Sequence, residues 1–418
     1  MNSVYGLLLL IVSTLYSCIA LSKEVLVTNI EKLSDGGWTV EYVSQSPIRS
    51  ISFVSAPDNS RQDRWSLLTD GFVLRHLNKN DIVTRLDGQK FKRVKFTLTP
   101  TYVHLPKSYA PFSPFSDGGM LFHSGRFFAC VDLCSPVENV WYISLTVPEK
   151  DSIIIDGEIK KQRAIWWDHN GGRKVYVGRA SGIEEEGFIS IIDDAISQSQ
   201  GAIIERFLPN MMKWLEKHYG RLERKPMLFA SYSHAIDGSY GQQGGTLPDQ
   251  VFMHWYGKLP NFEQDSEQLI WFFAHEAVHM YQRMNGRAIS PVDNWIHEGH
   301  AEYIAKLMVK QLHPQYLPYV DKLSAKASQD CLEKVEQTTL SALIENNQHD
   351  VLYQCGLYIF DTIEQANRSA SNVHQLWNQF MRQIKPGQEV SGASFIELAG
   401  KEYALPEPKL KQLMLLVQ

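Results

Sequence analysis

Residues 271–282, WFFAHEAVHMYQ, set two histidines and a glutamate into an apolar run, in the order His275, Glu276, His279. On a helix, residues four apart stack on one face. The imidazoles of His275 and His279 would then point the same way and could share one tetrahedral zinc. Glu276, on the adjoining flank, would reach a water at the open coordination position. The competing reading is two core histidines beside an unrelated acid. With 14 His in the chain, composition alone yields the five-residue pattern roughly once in forty such sequences, so it needs a third ligand to support it.

A catalytic zinc takes three protein ligands and keeps one position open. Extending the motif in the metzincin manner needs a glycine and a histidine where this chain has Gln282 and Asn285, so that version is excluded. The next candidate lies on the following helix: Glu298, in residues 290–305, SPVDNWIHEGHAEYIA, with eighteen residues between it and His279.

The histidine pair and Glu298 must each sit on a helix of their own. Asp265 or Ser266 can cap the first, and Gly286 after Asn285 can close it. For the second, Ser290 is a good cap, Pro291 suits the first turn, and Asp293 completes the box. Glu302 lies one turn beyond Glu298, where a carboxylate can hydrogen-bond and orient a ligating histidine. His297 and His300 flank Glu298 with different ring directions and are expected to pack or line the pocket. Tyr353 opens residues 353–360, YQCGLYIF, and its hydroxyl could stabilise an oxyanion, with Tyr358 competing for that role.

Here the chain resembles the zinc gluzincins, in particular the aminopeptidase N family and its glycyl-aminopeptidase relatives. The residues carrying the resemblance are His275, Glu276, His279, Trp295, Glu298, Gly299 and Ala301, the pattern H-E-x-x-H, eighteen residues, then W-x-x-E-G-x-A. It implies a Zn2+ cofactor on His275, His279 and Glu298, Glu276 as general base, and Tyr353 as the oxyanion donor. Exopeptidases of this family hold the substrate's amino terminus with a glutamate in a G-x-M-E-N strand. This chain has no such motif; Gly245 and Asp249, in residues 244–250, GGTLPDQ, stand at a comparable position and are the candidate substrate contacts.

Upstream of residue 180 the text alternates apolar and polar residues over 24–30, 38–44 and 94–99, punctuated by turn clusters such as Asp35-Gly36-Gly37. That is the pattern of a β-sandwich. Residues 189–219 read as a helix broken around Pro209, 226–233 as a buried strand, and 238–257 as a Gly-rich loop running into an aromatic strand. The rest is helical. The expected fold class is α+β: a signal segment over 1–20, a β-rich N-terminal domain over 21–184, and a thermolysin-like zinc peptidase domain with a helical C-terminal part over 185–418.

The 418 residues suffice for a sizeable core, and 44% hydrophobic with 21% charged residues is an ordinary folded composition. A net charge of −5 argues against a nucleic-acid partner. Residues 4–20 are uncharged and apolar, with Lys23 the first charged side chain, which predicts an exported, periplasmic or secreted protein cleaved after Ala20. The alternative is a lipid anchor on Cys18, the one route to membrane contact. Cys130, Cys134, Cys331 and Cys355 then form two disulfides, local pairing being the simplest of three connectivities, or remain buried thiols.

The expected function is an exported zinc metallopeptidase acting on peptides or small proteins, with peptide laid along the aromatic strand 251–256. Exo- versus endopeptidase action, side-chain preference and oligomeric state stay open. Competing classes are a non-catalytic binding protein that keeps the zinc fold and a zinc hydrolase of a non-peptide substrate.

Overall fold

The computed structural model describes residues 26–417 apart from 55–60, 79, 102–111, 133, 135–139, 170–171, 180–182, 186–187, 197, 236–237, 248, 260–265, 283–287 and 386. The signal segment and Cys18 lie outside the described residues, as do the helix-capping candidates Asp265 and Gly286.

The N-terminal half is built of three sheets. A six-stranded sheet runs in the order Arg163–Asp168, Trp141–Thr146, Leu26–Lys32, Trp38–Ile48, Phe91–Leu98, Trp65–Leu67. Its inward residues, Val40, Tyr42 and Phe96 among them, share one core with Ile51, Phe53 and Val83 of a four-stranded sheet. The alternation legible in the sequence is the burial pattern of Leu26–Lys32, where every second side chain is buried.

The third sheet couples the two halves. Its strands Ser152–Ile155 and Lys174–Gly178 are buried throughout, which identifies a sheet covered on both faces. One face turns Ile153, Ile155, Val175 and Val177 into the N-terminal core. The other packs Leu121, Ile154 and Tyr176 against Ile189, Ile191, Met227 and Phe229 of the C-terminal half. That half has its own five-stranded sheet, ordered Ile183–Glu185, Phe188–Ile192, Met227–Ser233, Gln250–Tyr256, Gly241–Leu247. Ile183–Glu185 pairs into this sheet antiparallel to Phe188–Ile192.

Nine helices follow among the described residues: α1 (Gln198–Tyr219), α2 (Ser266–Tyr281), α3 (Trp295–Leu312), α4 (Leu317–Val335), α5 (Leu340–Glu345), α6 (Asp350–Ala366), α7 (Val373–Gln383), α8 (Gly392–Tyr403) and α9 (Glu407–Leu416). The observed α+β architecture, sheet-rich first and helical last, is the fold class expected from the sequence.

Three local expectations are corrected. α1 runs unbroken through Pro209; Leu208, Met211, Met212 and Leu215 around it are all buried, and that packing outweighs one lost backbone hydrogen bond. Ser290 heads only a short 3-10 turn, Pro291–Asp293, with no side-chain cap bond, and α3 begins at Trp295 after Asn294. The Gly-rich segment expected as a loop is a strand from Gly241 to Leu247, paired along its length with Gln250–Tyr256.

The cysteines pair locally, Cys130 with Cys134 and Cys331 with Cys355. The second bond joins α4 to α6 across a sequence separation of 24, for which loop-closure entropy gives about 3 kcal/mol of stabilisation. Denaturant unfolding of a Cys331→Ala/Cys355→Ala double variant is expected to show a loss of that order, with the slope of the transition checked for a changed unfolded state.

Candidate metal centre

α2 carries His275 and His279 on the face it turns toward α3, while Leu269, Ile270, Phe273, Ala277 and Val278 anchor it in the core. α3 brings Glu298 to the same point. The Nε2 atoms of His275 and His279 are 2.9 Å apart, and Glu298 Oε2 lies 3.2 Å from the first and 3.3 Å from the second. Zinc bonds of 2.0–2.1 Å in tetrahedral array place ligand atoms roughly 3.3 Å from one another. Two imidazoles and a carboxylate converging at such spacing fit zinc in donor type and in geometry.

The surrounding charges favour a cation at this point. Burial lowers the pKa of His275, yet the Glu298 and Glu302 carboxylates overcome it and hold the ring up at about 10. Burial likewise raises Glu298, and hydrogen bonds from His275, His279 and His297 outweigh it, leaving that carboxyl far below its ordinary range. Glu302 Oε1 sits 2.9 Å from His275 Nδ1, at ion-pair distance though without the alignment of a hydrogen bond. Its other oxygen accepts from Trp271 Nε1 at 2.9 Å. Glu302 is therefore fixed behind His275, where a carboxylate can orient the ring.

Glu276 occupies the flank of α2 beside the ligands and is half-buried. Thr246 Oγ1 lies 2.5 Å from Glu276 Oε2 and 2.8 Å from Glu276 O. Both are acceptors, and the single hydroxyl proton serves one at a time. Thr246 is a residue that sequence reasoning passed over; its neighbours Gly244 and Gly245 made the segment look like a turn. Alternate residues of this strand face α2. A Cβ on Gly244 would stand 2.6 Å from Phe272 Cζ and 2.8 Å from Phe252 O, so a bare glycine is what lets the strand lie against the helix. Gly245, the residue singled out from the sequence, tolerates a Cβ at 3.4 Å from Phe252 and points to the other face.

Tyr353 comes from α6. Its ring centroid is 5.7 Å from that of His275, and burial together with Glu298, Glu276 and Glu302 raises its hydroxyl well above the ordinary value. A phenol held protonated beside the ligands is a donor. Tyr358 is turned elsewhere, accepting from Gln412 Nε2 at 3.3 Å. α6 reaches α3 through two facing glycines: a Cβ on Gly299 would lie 2.4 Å from Gly356 Cα. One glycine follows Glu298 and the other is three residues after Tyr353, so this contact sets the spacing between ligand and phenol.

His297 stacks on His279 with centroids 4.4 Å apart, and burial followed by the His279 charge pushes it down to about 4. His300 is fully buried and stacks on Trp377 at 3.8 Å. Both pack around the centre, and neither belongs to the converging ligand set.

The structure does not bring Asp249 into this group. Its carboxylate lies 3.6 Å from Arg224 Nη1, its backbone oxygen accepts from Met227 N at 2.9 Å, and the charges that act on it, after burial, are Arg224 and Asp156. It belongs to the seam between the halves. The aromatic strand Gln250–Tyr256 is corrected as well: it is flanked by Met227–Ser233 and Gly241–Leu247, so both its edges are used and it offers none to a peptide. The sheet edge beside α2 is Gly241–Leu247.

No family model matches the sequence, and no curated protein matches it. Solved structures do. An aminopeptidase N family protein from Idiomarina loihiensis superposes with a TM-score of 0.57 at 8% identity, over 93% of this chain and 78% of that one. Yeast LTA4 hydrolase in complex with bestatin gives 0.51 at 13% identity, over 93% of this chain and 66% of its own. A mutant M1 zinc metallopeptidase from Deinococcus radiodurans, bound to the peptide Tyr-Ser-Ala, gives 0.50 at 13% identity, over 94% and 93%. At such identities a likeness carries the architecture and leaves the chemistry to the site: this chain has the fold of the M1 aminopeptidase N-type zinc metallopeptidases.

Proposed function

We propose that this protein is an exported zinc metallopeptidase that hydrolyses peptide bonds. The observation that carries the reading is the convergence of His275 Nε2, His279 Nε2 and Glu298 Oε2 beside a carboxylate, Glu276, that takes no part in the ligand triangle. A peptidase needs both a cation site and a free base at one place.

Held by these three residues, zinc would supply Lewis-acid chemistry, acidifying water and polarising a carbonyl oxygen. The chain's own groups do the rest. Glu276 Oε1 or Oε2 takes the proton of the attacking water and passes it to the leaving amine, while Thr246 holds the carboxylate in place. The Tyr353 hydroxyl donates to the oxygen of the tetrahedral centre as negative charge gathers there. An extended substrate would pair with the edge strand Gly241–Leu247 by strand addition, which lays its backbone alongside α2. Export is supported by the two local disulfides, which persist in oxidising compartments.

That edge strand, GQQGGTL, carries no acid, and Asp249 faces Arg224. An ammonium anchor of the kind aminopeptidases use is thus not assembled from these residues, which favours cleavage that does not require a free amino terminus. Paired reporters test this: peptides with free and with acetylated amino termini are expected to be cut at comparable rates, with activity lost to a chelator and restored by zinc. A strong preference for the free amine would reverse the assignment in favour of an aminopeptidase.

A further inference from the structure

His279 is held from behind by a residue that no motif singles out. Its Nδ1 lies 2.7 Å from Gln282 Oε1. The Gln282 amide nitrogen is 2.7 Å from the carbonyl oxygen of His297 and 3.0 Å from His300 Nδ1. His300 Nε2 is 3.1 Å from the Tyr219 hydroxyl, which in turn is 2.8 Å from His374 Nδ1. Gln282, Tyr219, His300 and His374 are all buried.

One backbone atom fixes every proton in this series. A carbonyl oxygen only accepts, so the Gln282 atom facing His297 O is the NH2 group. The Gln282 oxygen then faces His279, whose Nδ1 must carry hydrogen. The same NH2 group faces His300 Nδ1, which must be a bare acceptor, leaving the His300 proton on Nε2. That N–H donates to the Tyr219 oxygen, and the Tyr219 hydroxyl donates onward to His374 Nδ1, placing the His374 proton on Nε2. Neutral rings are what this direction requires, and burial, with His218 adding to it, pushes His374 down to about 3.

We propose that Gln282 is a positioning residue for zinc binding: it fixes His279 in the Nδ1–H tautomer, with the Nε2 lone pair facing His275 and Glu298, and is itself fixed by a one-directional hydrogen-bond chain through His300, Tyr219 and His374. The chain ties α2 to α3, α1 and α7, so the ligand is preorganised by the core and not by the metal alone. This step rests on the zinc reading of the site.

The test combines a spectrum with an affinity. A long-range 1H–15N spectrum of histidine-labelled protein should show His279 protonated at Nδ1 and His300 and His374 at Nε2, with the latter two unchanged in metal-free protein. Gln282→Leu is expected to weaken zinc binding by about 10- to 100-fold in competition with a chromophoric chelator. Gln282→Glu keeps an acceptor oxygen at that place and should recover affinity relative to leucine. His300 protonated at Nδ1, or zinc affinity unchanged in Gln282→Leu, would overturn the proposal. If Gln282→Leu does not fold, the spectrum of the unsubstituted protein decides by itself. Absence of bound zinc would count against the reading of the site, whereas the tautomer pattern of the metal-free protein judges the chain separately.

Discussion

Glu276→Gln is expected to keep its zinc and to lose turnover by about 10²- to 10⁴-fold, the range that a positioned general base contributes. The substitution is isosteric, and the glutamine oxygen can still accept from Thr246, which lies 2.5 Å from the native carboxylate. Glu276 is outside the triangle formed by His275, His279 and Glu298, so metal content should not follow activity down. What glutamine lacks is a basic oxygen able to take a proton and give it back. Steady-state kcat on a peptide reporter, read beside zinc content in the same preparation, separates the two. Full activity in the variant would remove Glu276 from the mechanism; parallel loss of zinc would make it a structural support of the ligands.

Gly299→Ala is expected to destabilise the protein by about 1–3 kcal/mol, the usual range for overpacking. The sign is the informative part. Inside a helix, alanine is favoured over glycine by roughly 0.5–1 kcal/mol, so an uncrowded position would gain stability. Here the added Cβ would stand 2.4 Å from Gly356 Cα, 2.6 Å from its carbonyl carbon and 2.8 Å from its oxygen. These are backbone atoms, and no rotamer change relieves the contact. α3 and α6 must part, and with them Glu298 and Tyr353. A lowered midpoint in denaturant unfolding, with weakened zinc binding, is the predicted outcome. Neutral or raised stability would show that the helices do not meet at these glycines.

How much of this was legible in the sequence depended on whether a feature is local. Helical spacing reports directly on neighbouring side chains, which is why His275, His279 and Glu302 could be read from their intervals. Glu298 needed one more step, the separation of two helices. Gly299, next to Glu298, was legible as a residue of the resemblance; that it touches Gly356, three residues after Tyr353, is a property of the α3–α6 crossing, which no interval encodes.

The misreadings around the sheet edge beside α2 share a cause. Strand Gly241–Leu247 has three glycines and weak intrinsic strand preference, so it read as a loop. It is held by pairing with Gln250–Tyr256 and by the close approach of Gly244 to Phe272. Once that strand exists, Gln250–Tyr256 becomes interior, Thr246 meets Glu276, and Asp249 moves to the turn beside Arg224. A single tertiary pairing thus displaced the roles expected of the aromatic strand and of Asp249, and brought Thr246 to the site. Gln282 was noticed only as the wrong residue for another metal pattern. Its partners His300, Tyr219 and His374 are scattered over three further helices, beyond any local pattern.

The most direct measurement is the metal content of the purified protein by elemental analysis, beside that of Glu298→Ala. About one zinc per chain in the unsubstituted protein, held weakly or not at all in the variant, is the result the site predicts. Protein that is folded yet binds no zinc at micromolar concentrations, or a variant that holds it equally well, would contradict the metal centre on which the proposed function rests.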